Sequence, residues 1–270
     1  MVVTTQWVID KMEAWAPAKS AIESDNVGLL VGDRARTVNR ILTALDLSED
    51  VLREAVQGRF DFVITHHPLI SNWGPPINRI TTDNVVGKKI MTLISNGIGL
   101  FTAHTNLDVA PGGVNDLLFE LLDLTDKEFL AMPAATEYPP LGLIGNLKNP
   151  VPLPTLAVHV SKVLSLEHVR YVGQNDKIVK RVGLMGGSGS KYIEAAIANK
   201  CDVYLTGDLN YHQALDAMEA GIALIDGTHY STENPIVSTI ANYIRDRARE
   251  EGADLVVQAF SGCGQVFKNT

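Results

Sequence analysis

Short apolar runs alternate with amphipathic stretches along the whole chain. The N-terminal stretch places Trp7, Val8, Met12 and Trp15 near one helical face. Turn residues and apolar residues then alternate from Asp25 to Gly32, and Arg40–Asp46 has the apolar core of a strand. Ser48 fits a helix N-cap, with Glu49 and Asp50 in the first turn, where the helix dipole favours acids. A helix over Val51–Val56 ends at Gly58, and Phe62–Thr65 returns as a strand. The result is a βαβ unit that stops at His66-His67-Pro68, because proline cannot continue a central ladder.

The scheme repeats. A helix over Val85–Asn96 closes at Gly97, and strand Ile98–Ala103 runs into His104. Another helix spans about Val114–Leu122. Proline-punctuated pieces from Thr125 to Pro154 mark a changeover, with a strand at Leu141–Leu147, a helix at Thr155–Leu164 and a strand at Val169–Val172. The second half is expected to hold strands Arg181–Met185, Val203–Thr206, Ile222–Asp226 and Asp254–Phe260. Between them fall helices Tyr192–Asn199, His212–Glu219 and Ile236–Arg249, the last opened by Asn234-Pro235. Strands alternating with helices predict an α/β protein with largely parallel sheets. The expected division is one domain over 1–270, with lobe one about 1–125 and lobe two about 180–270, joined by a Pro-rich segment 126–179.

Composition narrows the function classes. Of 270 residues, 46% are hydrophobic, enough for one large domain or two lobes. A net charge of −8 and no basic stripe argue against binding nucleic acid through its phosphates. No apolar run approaches a membrane span and no targeting segment is visible. Cys201 and Cys263, far apart, give neither a disulfide framework nor a zinc signature, which fits a cytoplasmic protein.

The chemistry gathers at strand ends. His66/His67, His104/Asp108, Asp208…His212 and His229/Glu233 each follow an apolar run, the edge where open α/β sheets bind ligands. The four-residue spacing of His104–Asp108 and His229–Glu233, in the loops expected here, lets each pair converge on one point. Mixed imidazole and carboxylate donors suit Zn, Fe, Mn, Co or Ni. His159 and His168 have no acidic neighbours in pattern and read as structural or surface residues. Gly186-Gly187-Ser188-Gly189-Ser190 is either a tight strand-to-helix turn or an anion cradle using free backbone N–H groups. Cys263 is either a reactive thiol or a buried small residue.

These pieces resemble the NIF-three-like family, some of whose members are filed as GTP cyclohydrolase 1 type 2 homologues. The resemblance is carried by Asp25–Gly32, Thr65-His66-His67-Pro68-Leu69, His104-Thr105-Asn106-Leu107-Asp108, Gly112–Asp116, Gly187-Ser188-Gly189 and His229-Tyr230-Ser231-Thr232-Glu233, in order. It implies two interlinked α/β lobes and two divalent metal ions held by His66, His67, Asp108, His229 and Glu233, with Asp108 or Glu233 bridging. It also implies a homohexamer, in the family's short form. Departures are Ser24 where Trp is common, Thr228 where Gly is usual, and the Ser261–Gly264 ending.

Two function classes follow. One is a metal-dependent hydrolase of a small molecule, cyclohydrolase-like on a nucleotide in one version, with His104 or His212 moving the proton. The other is a non-catalytic metal-handling or regulatory interaction protein. A redox metal site is a third and weaker reading.

Overall fold

The computed structural model describes residues 1–131, 140–262 and 264–267. In chain order the strands are β1 (Gly28–Val31), β2 (Arg40–Ala44), β3 (Phe62–Thr65), β4 (Gly99–Thr102), β5 (Thr125–Phe129), β6 (Leu143–Pro152), β7 (Arg170–Val172), β8 (Ile178–Leu184), β9 (Val203–Thr206), β10 (Ala223–Asp226) and β11 (Val256–Ala259). The helices are α1 (Thr5–Trp15), α2 (Glu49–Gln57), α3 (Val85–Asn96), α4 (Thr105–Val109), α5 (Val114–Leu121), α6 (Leu153–Val163), α7 (Ile193–Ala198), α8 (Tyr211–Glu219), α9 (His229–Glu233) and α10 (Pro235–Glu250). The chain forms two compact units, Met1–Ala110 with Ile236–Thr270, and Pro111–Pro235.

The first unit holds a five-stranded sheet in the order β1-β4-β3-β2-β11. Strands β4, β3, β2 and β11 are parallel, and β1 is an antiparallel edge. Alternation along β2 decides what covers each face. Leu42 and Ala44 join Val51, Leu52 and Ala55 of α2 and Leu93 of α3 in one apolar cluster. Thr43 points the other way, and its hydroxyl donates to the Val237 carbonyl of α10 at 2.8 Å. Helix α1 lies against α10 through Trp15 and Tyr243, whose ring centroids are 4.6 Å apart. Both faces are thus covered, as strands made of near-continuous Val, Ile and Leu require. Ser48 caps α2 as expected, accepting from the Val51 amide at 3.2 Å.

The second unit holds a six-stranded sheet, β5-β6-β8-β9-β10-β7. Its central strands β8, β9 and β10 are parallel; β5, β6 and β7 are antiparallel flanks. The α/β class and the two layered sheets are as expected, with parallel pairing concentrated in the first sheet.

The lobe boundaries fall elsewhere than expected. The segment 126–179, expected to join the lobes, lies within the second unit: it supplies most of β5 together with β6 and β7 to the sheet, and α6 to the core beside it. Its prolines misled the reading because Pro150 and Pro152 sit in the outer part of β6, where the register with β8 shifts. Pro154 lies in the first turn of α6, where a missing amide costs nothing. Pro133 and Pro139 lie outside the described residues. Likewise α10 and β11 belong to the first unit, since β11 pairs with β2 in parallel register. The helix expected at Tyr192–Asn199 begins as a 3-10 turn, Ser190–Tyr192, before α7.

Candidate metal centre

The parallel ladders of the first unit fix a row of residues just beyond their carboxyl ends. Ala44 is opposite Thr65, and Thr65 is opposite Thr102. Two residues further along each strand lie Asp46, His67 and His104. In the structure His67 Nδ1 is 2.9 Å from Asp46 Oδ1, and the His67 and His104 ring centroids are 5.5 Å apart. His66 is fully buried. Its ring is 5.1 Å from that of His104. Ring nitrogens of His66, His67 and His104 all fall within 4.8 Å of one another.

Each imidazole is oriented through Nδ1. His66 Nδ1 is 2.9 Å from the Ala103 carbonyl, which only accepts, so Nδ1 carries the proton. His104 Nδ1 lies 3.0 and 3.1 Å from the two oxygens of Asp25. Burial pushes the Asp25 carboxyl up. The hydrogen bond and charge of His104, with the Thr105 hydroxyl and amide, outweigh it and bring the pKa down to about 2. Asp25 is therefore an acceptor only. In the neutral form of each ring Nε2 is then the lone-pair nitrogen, the tautomer that binds a metal while a carboxylate or carbonyl steadies the other nitrogen.

Asp108 completes this group. The sequence placed it in a loop; it is on α4, with His104 at the N-cap position and Asp108 in the helix. Thr105 and Asn106 tie that short helix down, the latter donating to the Ala16 carbonyl at 2.7 Å. Asp108 Oδ1 is 3.5 Å from His66 Nε2, and both side chains are buried. A lone-pair nitrogen facing a carboxylate oxygen in a dry site is repulsive. A cation between them, proton or metal, removes the repulsion.

The second unit presents a parallel case. His229 and Glu233 were expected in a loop, but both are on α9, where the i, i+4 spacing puts them on one face. His229 Nε2 is 3.1 Å from Glu233 Oε2, and His229 Nδ1 is 2.7 Å from Asp208 Oδ2. One imidazole between two carboxylates again calls for a cation at Nε2. Asp208 follows β9, whose Thr206 is opposite Asp226 of β10, which brings Asp208 level with Thr228, one residue before His229.

The glycine amides of the turn after β8 are already engaged within the second unit. The amides of Gly186, Gly187 and Gly189 donate to Asn115 Oδ1, Thr232 Oγ1 and Thr206 Oγ1 at 2.8 to 2.9 Å. The turn instead shapes the ligand helix. A Cβ on Gly187 would come within 2.0 Å of Glu233 Oε1, and one on Gly207 within 2.4 Å of the His229 amide nitrogen. Thr228, just before α9, has φ 60° and ψ 150°, a conformation open almost solely to glycine, and its hydroxyl caps the helix.

His212 stands exposed in the first turn of α8, edge-on to Tyr211. His159 is half-buried on α6 and His168 is exposed, in keeping with structural or surface roles. Cys201 is a buried thiol whose pKa burial raises to about 11, and Cys263 lies outside the described residues. The reading from sequence missed Asp46 and the anchoring role of Asp25 and Asp208. Register was the available signal for Asp46, which stands beside His67 once β2 and β3 are aligned; the same alignment of β9 and β10 sets Asp208 beside Thr228, one residue before His229.

Two α/β units whose strand ends carry histidines held through Nδ1 define a protein with groups of imidazole and carboxylate donors that could hold a metal ion. Residues 3–261 match the Duf34/NIF3 (NGG1p interacting factor 3) family, and the chain belongs to that family. A Clostridium acetobutylicum protein named GTP cyclohydrolase 1 type 2 homolog is 35% identical over 242 residues, 89% of each chain. One of the same name from Methanocaldococcus jannaschii is 36% identical over 230 residues, 84% of this chain and 88% of its own. The crystal structure of a Bacillus cereus protein related to NIF3 superposes with a TM-score of 0.91 at 27% identity, covering 100% of both chains. Among the described residues, no helix is long and apolar enough to cross a membrane.

Proposed function

We propose that the protein is a dinuclear divalent-metal hydrolase acting on a small molecule, with His66, His67, Asp108, His229 and Glu233 as ligands and His104 as the proton-handling group. The support is the shared anchoring of the imidazoles. Four histidines, His66, His67, His104 and His229, have Nδ1 against an oxygen, which directs Nε2 as the donor. Histidines at random surface sites have no reason to share one tautomer. Bound divalent ions would acidify a water and polarise the group under attack.

The chain's own part in the chemistry is to orient and to move a proton. Asp46, the Ala103 carbonyl and Asp208 keep their imidazoles from rotating. His104 accepts a proton at Nε2, and the Asp25 carboxylate stabilises the imidazolium that results. The low pKa of Asp25 keeps it ionised for that task. A cytoplasmic setting suits a chain whose described cysteine, Cys201, is a buried thiol.

The test is metal analysis of the purified protein, followed by a screen of phosphoester, amide and purine-ring substrates with the metal found. Two equivalents of metal per chain and metal-dependent turnover of one class support the reading. Tight metal binding without turnover of any class turns it toward metal handling.

A further inference from the structure

Trp73 is a large apolar side chain left 53% exposed. It is nonetheless pinned. Its indole N–H donates to Ser24 Oγ at 2.9 Å and its amide to Ser71 Oγ at 3.1 Å. The neighbouring Asn72 donates to the Ser24 carbonyl at 3.2 Å, and Asn26 donates to the Ile70 carbonyl at 2.6 Å. These bonds fasten the loop after His67 to the segment that carries Asp25. They place the indole against His104, ring centroids 5.4 Å apart and planes tilted by 58°. His104 in turn touches the rings of His66 and His67.

Hydrogen bonds rather than core packing therefore hold an aromatic face in water at the rim of an imidazole cluster. An exposed indole forgoes the stabilisation of burial. Its fixed position removes the ordering cost that a flexible side chain would incur on binding. An immobilised aromatic face stacks on any planar ring, whatever its substituents.

We infer that Trp73 is a stacking platform for a planar heteroaromatic ring, whose attached polar group reaches the His66–His67–His104 cluster. The ligand class is then a ring-bearing small molecule rather than a simple anion or aliphatic ester. This rests on reading that cluster as the metal centre.

The experiment compares GTP and ATP with tripolyphosphate, which carries the same charged chain without a ring. Calorimetric titrations use the full-length protein and the variants Trp73→Ala and Trp73→Phe, with metal content measured on the same samples. The expected result is tighter binding of at least one nucleotide than of tripolyphosphate. Trp73→Ala should weaken that nucleotide on the order of 10- to 100-fold. Trp73→Phe should keep most of the affinity, and tripolyphosphate should bind all three proteins alike. Nucleotides bound no more tightly than tripolyphosphate, or bound equally by Trp73→Ala, would overturn the inference. Metal retained in such a case leaves the metal centre standing. Absence of metal with ring discrimination intact removes the metal centre and leaves the platform.

Discussion

Histidine roles at this centre turn on which nitrogen each ring offers. His66 and His104 look alike in sequence, both following an apolar strand. They differ in what meets Nε2: Asp108 lies 3.5 Å from that of His66, while His104 is tied through Nδ1 to the buried Asp25. His104→Ala should therefore keep its metal and lose turnover by roughly 10²–10⁴-fold, the size of a positioned acid or base. Glu233→Gln should release metal instead, because a neutral amide is a poorer ligand than a carboxylate. Metal analysis and turnover on both variants check this pair; equal metal loss would make His104 a ligand. The donor residues themselves were legible, since a histidine after a strand is visible in one sequence. Their carboxylate partners were not. Asp25 and His104 are far apart in the chain, and only the folded first unit brings them within 3.0 Å.

In each unit a short helix carries donors that the sequence assigned to a loop. α4 and α9 are five residues each, too short to announce themselves by periodicity. What fixes α9 is its surroundings: the glycine turn, the Thr228 cap and the Thr232 hydroxyl on the Gly187 amide. Thr228 bears a cost for its place, because a side chain at φ 60°, ψ 150° is strained by about 1–3 kcal/mol. Replacing it by glycine forfeits a cap worth only a few tenths of a kcal/mol. Thr228→Gly should thus raise the melting temperature by about 2–4 °C, for a net gain near 1 kcal/mol. Thr228→Ala should lower it, since the strain stays and the cap goes. Thermal denaturation of both variants decides the matter. Other elements were well read: α2, α3 and the strands β3, β9 and β10 came out within a residue or two, because their apolar runs are bounded by caps and turn residues.

For the whole molecule, the α/β class was legible and the partition was not. Alternation of strand and helix is a local signal, whereas the pairing of β11 with β2 joins residues some two hundred positions apart and leaves no mark in either segment. Family resemblance extends the expectation to a homohexamer, which we propose here. Sedimentation velocity at micromolar concentration should give a species near six chains; a monomer would contradict it. The central claim, that the anchored imidazoles present Nε2 to divalent metal, has a direct test in anomalous diffraction from crystals of the purified protein at the metal's absorption edge. The account predicts two peaks, with His66, His67 and His229 bound through Nε2 at about 2.0–2.1 Å if the metal is zinc. Metal bound through Nδ1, metal held by other residues, or no anomalous peak at these histidines would contradict it.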